Sequence, residues 1–211
     1  MKEIYIEQLR RFVWIRPGTS DDQDWDEVFK MNYHVPPQEM PTPSTVLDLG
    51  ANIGITAVHY REMWPEAIIL AVEMDRENAD LARKNFSGLV WRRAVTTAST
   101  THVYYKTQGI SADAYAISEY GGRIASTIHP LTLCAEFFGN VPIDFCKMDV
   151  EGSEWEILKV ELPIKHLLVE FHDEPRDGPK IVKRGIELLE SMGYDAHHHT
   201  PHPQAVFAVK R

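Results

Sequence analysis

The sequence predicts an α/β fold with one open, mostly parallel β-sheet. Short apolar runs of the kind found in buried strands alternate with amphipathic stretches of helical period. Strands that are separated by helices imply parallel pairing with right-handed crossovers. The last two strand-like segments, YDAHHH and AVFAVKR, are separated only by the turn-like TPHPQ, so we expect an antiparallel pair at this end of the fold.

The strand and helix segments can be assigned in chain order. Five apolar runs are assigned to strands: TVLDLG (45–50), AIILAVE (67–73), GLVWRRAV (88–95), IDFCKMDV (143–150) and KHLLVEF (165–171). Four stretches are assigned to helices: GITAVHYREMW (54–64), RENADLARKNF (76–86), SEWEILKV (153–160) and PKIVKRGIELLESMG (179–193). These four stretches have apolar residues three or four positions apart, which is the spacing of a helix with one buried face. Gly193 is a typical C-terminal stop.

Two further segments complete a predicted single domain over residues 1–211. Residues 1–44 are predicted to form a hairpin and helix extension, and in the helix Trp25, Val28 and Phe29 should face the core. Residues 96–129 are rich in Thr, Ser, Gly and Tyr and interrupt the strand-helix alternation. We expect this second segment to be an inserted hairpin that acts as a mobile flap over the binding site.

The composition argues against several classes of partner. The chain has 22 Lys and Arg against 31 Asp and Glu, a net charge of −9, which disfavours a nucleic-acid backbone as the main partner. Two cysteines, Cys134 and Cys146, do not make a disulfide framework. No apolar run approaches membrane-spanning length, and MKEIYIEQLRR lacks the apolar core of a signal peptide. The expectation is a cytoplasmic protein without a membrane partner.

A glycine turn follows the first predicted strand of the parallel sheet. An open parallel sheet binds its ligand at the carboxyl ends of its strands, so polar residues there are candidate ligand contacts. In DLGANIG, glycines let the backbone turn tightly and approach a ligand. The candidate contacts in this turn are Asp48, Gly50, Asn52 and Gly54.

The next strand ends in Glu73, which lies 23 residues after Gly50. Rossmann-like units place an acid on the ribose hydroxyls at about this distance from the glycines. Because Ala51 and Asn52 occupy the middle of what would be a G-x-G-x-x-G motif, the turn disfavours a pyrophosphate. The combined pattern predicts a nucleoside ligand without phosphates.

Carboxylates crowd the end of the fourth predicted strand, in FCKMDVEGSEWEIL. Asp149 and Glu151 are expected to face the bound ligand and substrate beyond the strand. Glu154 lies where a helix begins, so we expect it to be stabilised by the positive helix end without a catalytic purpose. Lys147 alternates with Asp149 along the strand and should share its face. At the end of the fifth strand, Glu170 and His172 are spaced by two and therefore point to one side.

The successive motifs VLDLGANIGITAVHY, AVEMDRENADLARKNF, IDFCKMDVEGSEWEIL and LLVEFH resemble those of the FkbM family of S-adenosylmethionine-dependent methyltransferases. The similarity extends over about residues 16 to 172. The resemblance implies a Rossmann-like seven-stranded methyltransferase sheet of strand order 3-2-1-4-5-7-6, with strand 7 antiparallel and helices on both faces. It further implies methyl transfer from S-adenosyl-L-methionine to a hydroxyl of a natural product or sugar. Three further cofactor contacts are carried over from the resemblance: Ser20 at the methionine end, Met74, and Ala94 beside adenine.

The transferred methyl group is already activated in the donor, but a hydroxyl is a poor nucleophile and needs a base or a metal. Asp149, Glu151 and His172 are the candidate catalytic residues, with His172 as the base or as the residue that orients the hydroxyl. Metal-free catalysis is the first expectation. The alternative is Mg²⁺ or Mn²⁺ held by Asp149, Glu170 and His172.

A second interpretation of the function remains open from the sequence. A degenerate methyltransferase fold could bind a nucleoside or a partner protein without catalysis, whereas the intact set of site residues favours an active enzyme on a small-molecule hydroxyl acceptor.

The histidines of DAHHHTPHP are interpreted as solvated side chains of a hairpin: His197, His198, His199 and His202.

Overall fold

A seven-stranded sheet forms the centre of the computed structural model, which describes residues 1–6, 11–107, 115–118, 121–139, 141–172 and 178–211. The strands are β1 (Lys2–Ile6), β2 (Arg11–Ile15), β3 (Thr45–Leu49), β4 (Ile68–Glu73), β5 (Leu89–Arg92), β6 (Ala94–Val95), β7 (His102–Thr107), β8 (Tyr115–Ser118), β9 (Arg123–Ile128), β10 (Ile143–Met148), β11 (Ile164–Glu170), β12 (Tyr194–His198) and β13 (Ala205–Lys210). The helices are α1 (Asp21–Phe29), α2 (Ile55–Met63), α3 (Arg76–Asn85), α4 (Pro130–Phe138), α5 (Glu154–Ile157) and α6 (Gly178–Ser191).

The central sheet has the strand order β5-β4-β3-β10-β11-β13-β12. The strands from β5 to β11 pair in parallel, and β13 lies antiparallel between β11 and β12. Counted along the chain, these seven strands stand in the order 3-2-1-4-5-7-6. The predicted α/β fold with a mostly parallel sheet and an antiparallel finish is confirmed.

The helices begin and end where local chemistry favours it. Asp75 caps α3, because its carboxylate accepts hydrogen bonds from the amides of Glu77 and Asn78. The four predicted helices are present, but α5 has only four residues where eight were predicted. Helix α4, with a proline at its first position, was not predicted. None of the helices in the described ranges is long and apolar enough to cross a membrane.

The segment before the central sheet contains a pair of strands and a helix. Strands β1 and β2 pair antiparallel, and α1 follows. Val28 is buried, while Trp25 and Phe29 are partly buried against the same apolar cluster. The helix therefore faces the core with the three predicted residues and lies beside α2.

Residues 96–129 contain β7, β8 and β9, which join β6 in a small sheet with the order β6-β9-β7-β8. Tyr105 is buried, and its hydroxyl donates a hydrogen bond to Asp75 at 3.0 Å. Arg123 forms an ion pair with the same carboxylate. Both contacts attach the segment to the start of α3. Residues 108–114 and 119–120 lie outside the described residues, and the mobile flap stays a prediction.

Hydrogen exchange tests the flap. In the ligand-free protein, amides of β7 and β9 should exchange faster than those of β3, because β7 and β9 carry several exposed residues whereas β3 is almost fully buried in the middle of the central sheet. The measurement is exchange followed by mass spectrometry of peptides from both regions. Equal protection of the two regions would end the flap hypothesis.

Gly50 is required where the turn after β3 passes the end of β10. Its φ is +75°, and an added Cβ would lie 1.6 Å from the Asp149 carbonyl oxygen. We predict that Gly50→Ala lowers the free energy of unfolding by about 4 kcal/mol or more. The measurement is urea denaturation.

Gly18→Ala is the matched control, because Gly18 has a φ of +76° and open space around its Cβ position. That variant should lose only about 1–2 kcal/mol, the cost of left-handed backbone at a residue with a side chain. If both variants lost the same free energy of unfolding, the close approach of Gly50 to the Asp149 carbonyl oxygen would not contribute to stability.

Candidate active site

A cavity of about 610 Å³ opens at the carboxyl ends of the parallel strands. Its wall is built by the turns after β3, β4, β5, β10 and β11, by α1, and by the turn before β13. These are the strand ends at which the sequence predicted a ligand. The lining residues that were predicted from the sequence are Ser20, Gly50, Asn52, Glu73, Met74, Ala94, Asp149, Glu151, Glu170 and His172.

Glu73 lies at one end of this cavity and is almost fully buried. The amides of Asp75 and Asn52 donate hydrogen bonds to its two oxygens at 2.7 and 2.9 Å. Burial raises the pKa of Glu73 to about 7, although the two amide bonds act in the opposite direction. Each carboxylate oxygen keeps a second lone pair for a ligand.

Asn52 and Ser20 present polar atoms at the same cavity. Asn52 has a φ of 47°, and its side-chain Nδ2 donates a hydrogen bond to Asp24 at 2.6 Å. The Oδ1 atom of Asn52 and the Oγ atom of Ser20 are buried without a hydrogen-bond partner among the described residues. Buried polar atoms without a partner are costly, so a ligand that supplied donors here would be favoured.

Two predicted contacts lie behind the cavity wall instead of in it. Asp48 is fully buried, and its Oδ1 lies 3.5 Å from Lys147 Nζ. Burial raises the pKa of Asp48 above its usual value, although Lys147 acts in the opposite direction. Gly54 starts α2 with a φ of +82°, and an added Cβ would lie 3.1 Å from Ala82. Neither residue lines the cavity, so both shape the glycine turn from below.

The turn after β10 carries Glu151 in an unusual backbone conformation. Glu151 has a φ of 51°, and Gly152 follows with a φ of 99°. Non-glycine residues rarely adopt positive φ, and such backbone concentrates at functional sites. The carboxylate of Glu154 accepts hydrogen bonds from the amides of Val150 and Gly152, each at 2.9 Å. The amides on both sides of Glu151 are thus held by one side chain.

Glu154 lies in the first turn of α5, as expected, but its side chain also makes a contact that was not predicted. It is fully buried, and Oε1 lies 3.1 Å from Nδ1 of His172. Sequence spacing suggests a helix start but not the direction of this side chain.

His172 is buried and surrounded by carboxylates. Its Nε2 lies 3.2 Å from Glu170, 3.8 Å from Glu151 and 3.9 Å from Asp149. Burial lowers its pKa, but the hydrogen bonds to Glu154 and Glu170 outweigh burial and raise the pKa to about 12. His172 is therefore an imidazolium at neutral pH, which favours the orienting role predicted for it over the role of a base.

Asp149 and Glu151, which lie within 3.9 Å of His172, differ in pKa. Burial raises the pKa of Asp149, but Lys147 at 3.2 Å and His172 outweigh burial and lower it to about 2. Burial and the Asp149 charge raise the pKa of Glu151 to about 8, with His172 acting in the opposite direction. Asp149 stays ionised, whereas Glu151 exchanges its proton near neutral pH.

His202 lines the cavity and was missed by the sequence analysis. It is buried, and Nε2 lies 3.3 Å from the Glu170 carboxylate. His199 is also buried, whereas His197 and His198 are exposed. The expectation of solvated histidines was therefore wrong for two of the four. The predicted strand order could have indicated that His202 lies at the site, because it places the turn before β13 beside the end of β11.

The geometry also bears on a metal ion. Ligand atoms of Asp149, Glu151 and His172 lie within 4.8 Å of one another. The set predicted from the sequence has Glu170 in place of Glu151, and Glu170 contacts His172 and His202. An O,O,N donor set of this kind suits Mg²⁺ or Mn²⁺, and the metal site stays a prediction.

The chain has recognisable relatives. Residues 48–196 match the Methyltransferase FkbM domain. A fibrillarin/Nop5p complex has a similar fold, with 17% identity over 86% of this chain and 78% of that chain and a TM-score of 0.50. Precorrin-6y C5,15-methyltransferase from Geobacter metallireducens has 12% identity over 88% and 87% of the two chains, with a TM-score of 0.49. Human N-acetylserotonin methyltransferase has 14% identity over 90% of this chain and 53% of that chain, with a TM-score of 0.49.

A comparison with curated proteins finds no match. The family match covers more than half of the chain and includes the glycine turn, Glu73 and the cluster around His172. This chain belongs to the FkbM methyltransferase domain family.

Proposed function

We propose that this chain is an S-adenosylmethionine-dependent O-methyltransferase that acts on a hydroxyl of a small molecule, of the natural-product or sugar type. The observation that carries the proposal is one cavity with two chemically different ends. Glu73 and the glycine turn lie at one end. Asp149, Glu151 and His172 lie at the other, on strand ends that adjoin the turn.

The residues at the first end fit the proposed cofactor. The Glu73 carboxylate can accept hydrogen bonds from two ribose hydroxyls, and Met74 and Ala94 offer apolar surface and backbone for adenine. Ser20 Oγ and Asn52 Oδ1, which have no hydrogen-bond partner among the described residues, are available for the methionine end. The family match and the solved human relative in complex with SAM support the same cofactor.

The residues at the second end suit proton removal from a hydroxyl. When bound, S-adenosylmethionine supplies an activated methyl group. Glu151 accepts the hydroxyl proton in this proposal, because it lines the cavity and its pKa of about 8 lies near neutral pH. His172 holds the neighbouring carboxylates in place through Nε2, and the ionised Asp149 keeps His172 charged.

A small molecule fits this cavity better than a nucleic acid. The wall carries six acids. Its cations are Lys147 and His172, which both lie against carboxylates, and Arg93, which stacks over Trp91. Phosphate groups would meet like charge at the acidic end. The alternative of a non-catalytic binding module predicts cofactor binding without turnover on any hydroxyl compound.

The first prediction of this function concerns Glu73. Glu73→Ala should weaken S-adenosylhomocysteine binding by about 1.5–3 kcal/mol, the value of hydrogen bonds to a charged group. The affinity of the wild type should also rise from about pH 6 to about pH 8, because the ionised carboxylate is the stronger acceptor and its pKa is about 7. Titration calorimetry measures both effects.

Glu66→Ala is the control for Glu73, because Glu66 is an exposed acid before the opposite end of β4. This variant should bind as the wild type does and keep the pH dependence. Unchanged affinity in Glu73→Ala would remove Glu73 from the nucleoside site.

The second prediction concerns proton removal. Glu151→Gln and His172→Ala should each lower turnover by about 10²–10⁴ while cofactor affinity changes little. In the wild type, turnover should rise as the pH passes upward through about 8, because Glu151 must be deprotonated to act as a base. Glu151→Gln should lack this rise. The assay follows S-adenosylhomocysteine release with a panel of hydroxyl compounds.

Glu190→Gln on α6 is the control for this pair, since Glu190 is exposed and does not line the cavity. Full activity of both site variants would remove them from the mechanism. Loss of turnover on chelation, with recovery on Mg²⁺ or Mn²⁺, would instead assign Asp149, Glu151 and His172 to a metal.

A further inference from the structure

Glu154 contacts His172 and the two backbone amides that flank Glu151. Its Oε1 lies 3.1 Å from His172 Nδ1 and accepts a hydrogen bond from the Val150 amide. Its Oε2 accepts a hydrogen bond from the Gly152 amide. The side chain has no solvent exposure. One buried carboxylate therefore joins the end of β11 to the turn that carries Glu151.

We propose that Glu154 is a positioning residue that fixes the His172 ring and the Glu151 turn in one arrangement. This role rests on the proposed function. A carboxylate only accepts hydrogen bonds, so the contact with Glu154 requires a proton on Nδ1 of His172. With Nδ1 held, Nε2 is directed at Glu170, Glu151 and Asp149.

The carboxylate of Glu154 also holds the backbone of the turn that carries Glu151. Glu151 has a positive φ, a conformation that persists at a non-glycine residue only when its surroundings impose it. The amides before and after Glu151 in the chain donate to the same carboxylate. Glu154 thus supplies the constraint on the Glu151 backbone from both sides.

If Glu154 acted only as a cap of α5, its replacement would be expected to leave the Nδ1 proton of His172 unchanged. Ser153 precedes the helix and makes no side-chain cap hydrogen bond, so the contacts of Glu154 to the turn could be explained as capping alone. Capping does not involve His172. A measurement on the Nδ1 proton of His172 therefore separates positioning from capping.

Groups around His172 are divided between its two nitrogens. Glu154 faces Nδ1, while Asp149, Glu151 and Glu170 face Nε2. Without the Glu154 carboxylate, the three carboxylates at Nε2 are the remaining charged contacts of the ring named here. A neutral amide at position 154 should therefore let the ring rotate and expose the Nδ1 proton to exchange with water.

The experiment compares Glu154→Gln with Glu156→Gln. Glu156 is the matched control, because it lies in the same short helix and its carboxylate accepts hydrogen bonds from Thr96 and Thr97. Nuclear magnetic resonance of ¹⁵N-histidine protein, with His172 assigned through His172→Gln, reports the Nδ1 proton. This proton should exchange with water at least about tenfold faster in Glu154→Gln than in the wild type, and at the wild-type rate in Glu156→Gln.

Turnover gives a second readout. Glu154→Gln should lower kcat about 10²-fold, since loss of orientation removes much of the effect of a positioned group. The dissociation constant of S-adenosylhomocysteine should stay within about twofold, because Glu154 does not line the cavity. Glu156→Gln should keep the wild-type kcat.

An unchanged Nδ1 proton in Glu154→Gln would overturn the positioning role. If that variant does not fold, the wild-type spectrum decides: a protonated, slowly exchanging Nδ1 supports the role, and an unprotonated Nδ1 overturns it. Failure of the wild type to bind S-adenosylhomocysteine or to methylate any hydroxyl would overturn the proposed function instead. The resonance comparison would still report whether Glu154 holds His172.

Discussion

The buried ammonium of Lys147 holds together the strand ends on which the cavity is built. It donates to the Gly50 carbonyl oxygen at 2.8 Å and lies 3.5 Å from Asp48 and 3.2 Å from Asp149. A buried ammonium without such partners would cost several kcal/mol, so the two carboxylates and the glycine turn have to stay where they are. Because Gly50 also passes against the backbone of Asp149, the turn after β3 and the end of β10 form one unit.

That unit explains why neighbouring acids of one motif have different properties. Asp149 lies beside Lys147, and its pKa falls to about 2 despite burial. Glu151 lies one turn further on, where the Asp149 charge and burial raise its pKa to about 8. Two carboxylates separated by one residue thus differ in protonation because only the first contacts the ammonium. Pairs of acids with separated pKa values are how enzymes assign acid-base roles at neutral pH.

Much of the fold could be predicted because its signals are local. Helical and strand periods, the polar residues after each strand and the short final connection are all visible within a few residues of sequence. The parallel sheet then aligns the strand ends, which is why Glu73, Asp149 and His172 could be expected at one edge. Helix α4 was missed although Pro130 at its start was a usable signal.

The missed parts of the site depend on contacts between distant residues. Glu154 has the local features of a solvated helix acid, and its partner His172 is 18 residues away. His202 reaches Glu170 only because β13 pairs antiparallel with β11 at that register. The positive φ of Glu151 has no marker in its own side chain. Each of these features follows from tertiary packing, which periodicity and spacing do not encode.

Charge balance connects the cluster to the proposed reaction. Of the side chains named at this end of the cavity, Asp149, Glu151, Glu154 and Glu170 are acids, while Lys147 and His172 are cations. An excess of acid is costly in a partly buried site, and a positive ligand charge or a proton on Glu151 relieves it. In the proposed methyl transfer, the sulfonium charge disappears as the hydroxyl proton is released. Uptake of that proton by Glu151 would leave the total charge of the site unchanged, and the raised pKa of Glu151 suits it to this role.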